Sequence, residues 1–210
     1  MILSPSTDLE EIERNLVKKE EMMRKWAVAY LFVTSFCFLF ALNSFSSPAT
    51  PPITVGMNLP QFTFPAPDPE AQKYLGLKEA KPFSASDVRG RAMLVEVFSV
   101  LCMNCQAAAP SVNKLFSLIR SDADLANNLK MCGLGIGADE KRLRAYRAAY
   151  HAQFPLLPDR KNEIYGKLGE PKIPFLMLVS QSGKVLLIHS GQIEDIDKLF
   201  SEIKKLSMNQ

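Results

Sequence analysis

Residues 93–110 read MLVEVFSVLCMNCQAAAP, and this stretch decides the fold. Met93 to Val97 is an apolar run of strand length, a short turn follows, and Cys102 and Cys105 then open a helix rich in alanine. The N-terminus of a helix carries partial positive charge, which favours a thiolate in its first turn. The second cysteine stands one turn on, close enough to close a disulfide or resolve a mixed one. Two thiols in that setting read as a redox pair.

Working outward, Glu96 lies six positions before Cys102 on a strand that should be buried, where an acid is costly unless it has a partner or a task. Pro110 lies eight positions after Cys102 and should kink the helix. Far downstream, Ile173-Pro174 precedes a second apolar run, Phe175 to Ser180. Together these residues resemble the thioredoxin fold, in its membrane-anchored, exported TlpA-like or redoxin branch, over roughly residues 55 to 205. The resemblance implies an α/β architecture, a central mixed sheet flanked by helices. It also implies that Cys102 is the attacking thiol, Cys105 the resolving one, Glu96 a buried proton carrier and Pro174 a cis-proline facing the site. Leu101, Met103, Asn104, Ile173 and Pro174 are then the expected substrate-binding residues. The family usually has Trp before the first cysteine and often Pro before the second. Here Leu101 and Asn104 stand there, and the Met103-Asn104 pair should tune the redox potential.

Composition sets the outer bounds. The chain has 210 residues, enough for one ordinary domain and an appendage. Its 47% hydrophobic content suffices for a packed core with something left for a membrane, and a net charge of +3 is too small to argue for nucleic acid. Of the 4 cysteines only two are close in sequence, unlike a small disulfide-stapled scaffold. No metal or other cofactor is expected. A zinc site needs four ligands, and neither His151 nor His189 stands at motif spacing from the pair.

Ahead of the domain, residues 1–25 hold a charged helix, with Thr7 and Glu10 in a capping-box pattern. Residues 26–45 carry no charge and have the length, about 20 residues, that crosses a bilayer. Arg14, Lys18, Lys19, Arg24 and Lys25 precede this segment, and Lys73 is the first base after it. The positive-inside rule places the N-terminus in the cytoplasm and everything after the span outside. The long lead, acidic as well as basic, reads as an uncleaved signal anchor rather than a signal peptide, and the resemblance implies a bacterial inner membrane with the domain in the periplasm. Cys37 falls mid-span, with no redox role expected. Residues 46–54 form a Ser/Pro-rich tether, and 55–210 the thioredoxin-like domain.

Within the domain, Gln61 to Phe64 alternates polar and aromatic residues, as an edge strand would. A helical turn over Ala71 to Leu77 and a short strand and turn over Phe83 to Val88 come next. Leu129 to Ile136 reads as a buried parallel strand with Cys132 as core filler, and Gly135 and Gly137 as turn residues. Asp139 to His151 is a basic amphipathic helix. Phe154 to Leu157 is a strand, Asn162 to Leu168 a helix ending at Gly169, and Val185 to Ser190 the partner of Phe175 to Ser180 in a hairpin. A helix from Ile193 to Leu206 closes the chain.

The expected activity is dithiol-disulfide exchange by Cys102 and Cys105; the resemblance implies reduction of disulfides in exported proteins, with cytochrome c maturation as one setting. The partners are an exported disulfide substrate, a membrane thiol electron donor and the bilayer through residues 26–45, with no nucleic acid. Two alternatives stand beside it, a redox-inactive binding subunit of a membrane assembly and a Cu(I) carrier, since soft thiolates suit that ion.

Overall fold

The structure, a computed structural model, describes residues 18–26 and 50–210. Residues 18–26 are helical, as expected for the basic end of the N-terminal segment. The capping pattern at Thr7, the apolar span after Trp26 and Cys37 lie outside the described residues. Among those described, no helix is long and apolar enough to cross a membrane.

From residue 50 on, a five-stranded mixed sheet forms in the order β3-β2-β1-β4-β5. Its strands are β1 (Ala92–Phe98), β2 (Leu129–Ile136), β3 (Leu156–Asp159), β4 (Phe175–Ser180) and β5 (Val185–Ser190). The first three run parallel, and β4 and β5 are antiparallel to the neighbours they pair with. β1 is central and wholly buried, which explains its near-continuous apolar run. Side chains alternate across it. Met93, Val95 and Val97 pack with Leu75, Phe64 and Phe83 on one face, while Ala92 and Leu94 meet Val112, Leu115 and Ile119 of the redox helix (Met103–Ser121) on the other. That alternation places Glu96 and Phe98 on the redox-helix face. The C-terminal helix (Ile196–Met208) covers the same face through Leu199 and Ile203.

Strands β2, β4 and β5 have the bounds the apolar runs predict, and the redox helix continues past Pro110 to Ser121. Several expectations need correction. Gln61 to Phe64 is not a strand; Phe64 alone bridges Phe83, and Pro60 and Pro65 remove donors on either side. Past Phe83 the chain turns through a 3-10 helix (Ala85–Asp87) closed by Ser84 and Asp87 in a capping box. Gly135 is not a turn residue but lies inside β2, where a Cβ would collide with Leu143 of the basic helix (Glu140–Tyr150). β3 begins two residues later than expected, and the last helix starts only at Ile196, capped by Asp195. Ile53, read as the end of the tether, is buried in the core and donates its N–H to the Leu168 carbonyl at 3.0 Å.

Candidate active site

The thiol pair sits where β1 leaves the sheet, beyond the carboxyl ends of parallel strands, the usual place for a site in an α/β sheet. Cys102 is the N-cap of the redox helix, in extended conformation. Its Sγ accepts a hydrogen bond from the Cys105 N–H at 3.2 Å, one of the donors a helix start leaves free. Its own N–H donates to the Ser99 carbonyl, and the Gln106 side chain ties the turn to the Val100 carbonyl at 2.9 Å. Cys102, Cys105 and Cys132 are free thiols.

The two thiols of the pair differ sharply in surroundings. Cys102 is half-buried, whereas Cys105 is fully buried among Phe98, Ala109, Leu143 and Tyr146. Burial, reinforced by the hydrogen bond with Cys102, pushes the Cys105 thiol up to about 12. Cys132, in strand β2, is likewise pushed up to about 12 by burial and by the Glu96 charge, as suits core filler.

Glu96 is 1% exposed, and its Oε1 has no hydrogen-bond partner among the described residues. On its two flanks it pairs with Gly133 of β2 and Leu176 of β4, so neither neighbour offers a polar side chain. Desolvation pushes its carboxyl up to about 8. The Glu96 charge in turn adds to the burial that raises Cys105 and Tyr146. An acid, a buried thiol and a buried phenol therefore share one electrostatic neighbourhood.

The residues expected to bind substrate can be placed as well. Leu101 and Met103 flank Cys102 at 80% and 81% exposure, an apolar surface that solvent alone would not favour. The Ile173-Pro174 bond is cis, and Ile173 packs against the same apolar cluster as Cys102. Pro174 itself is buried, and its carbonyl accepts from Gly191 N–H at 2.8 Å. Asn104 is exposed, and its carbonyl accepts from Gln192 Nε2 at 2.7 Å.

Three residues at the site escaped the sequence reading. Gln192 follows the Gly191 turn and carries no motif. His189, set aside as a metal ligand by its spacing, donates from Nε2 to the Gln192 carbonyl at 3.0 Å. Tyr146, on the buried face of the basic amphipathic helix, rests on Phe98 with ring centroids 4.7 Å apart and directs its hydroxyl at the Cys105 carbonyl, 3.5 Å away. Only its burial, visible as the apolar stripe of a basic helix, hinted at this. Among the described residues no group of three or more His, Cys, Asp or Glu side chains is gathered to hold a metal ion.

This sheet, with its thiol pair at a helix start and its cis-proline before β4, identifies the architecture. The fold is thioredoxin-like. No family model matches the chain. Among curated proteins it is similar to thiol-disulfide oxidoreductase ResA of Geobacillus thermodenitrificans, 19% identical over 189 residues, covering 89% of this chain and 98% of that one. It is also similar to ResA of Bacillus anthracis, 20% identical over 129 residues, or 61% and 71% of the two chains. Among solved structures, the thioredoxin domain of a thiol-disulfide oxidoreductase from Bacteroides vulgatus superposes with a TM-score of 0.54 at 14% identity, over 74% of this chain and 99% of that one. A secreted Mycobacterium tuberculosis disulfide oxidoreductase, homologous to E. coli DsbE, gives 0.50 at 18% identity, over 69% and 96%. The enzyme class expected from the sequence is borne out by these relatives.

Proposed function

We propose that the domain exchanges disulfides through Cys102 and Cys105, acting as a reductase of disulfides in exported proteins. The observation that carries this is the asymmetry of the pair: an N-cap sulfur that is half-exposed and receives an N–H, and behind it a fully buried thiol. The Cys102 thiolate attacks one sulfur of a substrate disulfide; that S–S bond breaks, and the other substrate sulfur leaves as a thiolate that takes up a proton. Cys105 then gives its proton to the ionised Glu96 and attacks the Cys102 sulfur. The mixed disulfide breaks, the second substrate thiol leaves, and two electrons have passed from the pair to the substrate. A membrane dithiol carrier must return them. Leu101 and Met103 form the contact surface beside the attacking sulfur, and the backbone around Ile173 and Pro174 binds the substrate chain.

The setting we propose is extracytoplasmic, with cytochrome c maturation as one context. Residues 26–45 anchor the chain in a bacterial inner membrane, with 1–25 on the cytoplasmic side, 46–54 as a tether and the domain from 55 in the periplasm. Support comes from the charge asymmetry around the apolar span, from the secreted Mycobacterium tuberculosis protein of like fold, and from a similarity to Geobacillus ResA that takes in more of the chain than the folded domain holds. Cys105→Ser tests the chemistry. It should accumulate mixed disulfides on Cys102 in cells, and a variant that traps nothing would leave a binding module with a thioredoxin fold. Protease added to sealed spheroplasts tests the topology; digestion of the domain is expected, and full protection would overturn it.

A further inference from the structure

We infer that Gln192 is a positioning residue for the Cys102 sulfur, acting through the peptide bond that joins Asn104 to Cys105. The inference rests on Cys102 being the attacking thiol. Gln192 Nε2 donates to the Asn104 carbonyl at 2.7 Å. On the other side of that same peptide group, the Cys105 N–H donates to Cys102 Sγ at 3.2 Å. One peptide thus accepts from Gln192 and donates to the sulfur. A carbonyl that accepts a hydrogen bond draws electron density from its own N–H, which becomes the stronger donor. The gain is realised most fully when the acceptor is charged, that is, when Cys102 is a thiolate.

The donor is held in place from behind. His189 Nε2–H donates to the Gln192 carbonyl at 3.0 Å, and Gly191 N–H donates to the Pro174 carbonyl at 2.8 Å. The corner after β5 therefore grips both the first turn of the redox helix and the cis-proline loop. A plain structural clamp is the competing account. Gln192 is exposed, however, and an exposed amide hydrogen bond contributes little net stability. What distinguishes this bond is its place in line with the sulfur.

The test uses the full chain and two substitutions. Gln192→Met keeps the length and removes the donor, and Gln192→Glu sets a carboxylate against the Asn104 carbonyl. Iodoacetamide alkylation of Cys102 at about pH 7 should slow about two- to threefold in Gln192→Met and further in Gln192→Glu. At about pH 10.5, where accessible thiols are ionised, the three rates should converge. The Cys105 amide proton resonance should move upfield in both variants. Equal rates at about pH 7, an equal slowing at both pH values (an effect of access alone), or an unmoved Cys105 amide proton would each overturn the inference. Failure of the exchange reading has its own sign: Cys105→Ser in the otherwise native chain would trap no substrate on Cys102.

Discussion

Glu96 pairs across β1 and β2 with Gly133, a residue with no side chain to give the buried carboxyl a partner. Oε1 is accordingly left without a hydrogen bond among the described residues, and burial lifts the group from the ordinary range near 4.5 to about 8. The folded state therefore holds this proton to higher pH than the unfolded chain does. The stability that proton confers is fully present below about pH 4.5 and is lost as pH rises through about 8. The loss is on the order of 5 kcal/mol. Glu96→Gln should flatten that decline, leaving a variant more stable than the parent above neutrality in urea titrations run at several pH values. The same substitution removes the proton acceptor we propose for Cys105 and should slow disulfide exchange by at least about tenfold near pH 7. A variant that is stabilised yet exchanges at the parental rate would make Glu96 a structural acid only.

Burial also predicts how the thiols divide. Cys105 and Cys132 are both fully enclosed and pushed up to about 12, so neither presents a thiolate to reagents near neutral pH. Limited alkylation of the native reduced protein should label Cys102 ahead of Cys105 and Cys132 by about a hundredfold, and denaturant should release those two. Mass mapping of the labelled peptides reads this directly. Rapid native labelling of Cys132 would show that strand β2 opens far more readily than its packing implies.

The legible parts of the chain are those where one physical demand dominates. β2, β4 and β5 could be bounded from sequence because buried strands need uninterrupted apolar residues and Gly183 marks the hairpin between the last two. Cys102, Cys105, Glu96 and Pro174 stood out because each residue type is costly or conspicuous where it stands. Gln61 to Phe64 misled because alternation alone does not make a strand when prolines flank it. Gln192 was invisible for a different reason. It acts through a carbonyl 88 residues away, and no local pattern records a partner at that distance in the chain.

Gly135 shows a subtler limit, since an interior glycine in a strand reads as a turn until its neighbours are known. At Gly133 an added Cβ would lie 2.8 Å from Leu156 Cδ2 and 3.0 Å from Phe98 Cε1, distances that force those side chains to move. Phe98 belongs to the cluster that encloses Cys105 and carries Tyr146. Gly133→Ala should therefore cost about 1–3 kcal/mol in urea unfolding through overpacking. It should also displace the Phe98 ring and speed alkylation of Cys105 in the native protein. Unchanged Cys105 protection alongside reduced stability would mean that Leu156 and Phe154, 3.1 Å away through Cε2, give way instead.

The loop that delivers Pro174 hangs on a single buried acid. Asp159, at the end of β3, is 5% exposed, and its carboxylate accepts from the N–H groups of Glu163 at 2.9 Å, Ile164 at 3.4 Å and Tyr165 at 2.9 Å. These are the free donors at the start of the short helix Glu163–Lys167, which Asn162, in left-handed conformation with no capping side chain, does not satisfy. Tyr165 then passes the restraint on, its hydroxyl donating to the Pro171 carbonyl at 3.2 Å three residues before Pro174. Asp159→Ala leaves three donors without that acceptor and should cost about 3 kcal/mol. Asp159→Asn keeps one acceptor oxygen and should cost about half as much. If the loop matters to exchange, Tyr165→Phe should weaken apparent substrate affinity while leaving alkylation of Cys102 at the parental rate. A loss in both would place Tyr165 in the support of the thiol pair itself rather than in that of the proline loop.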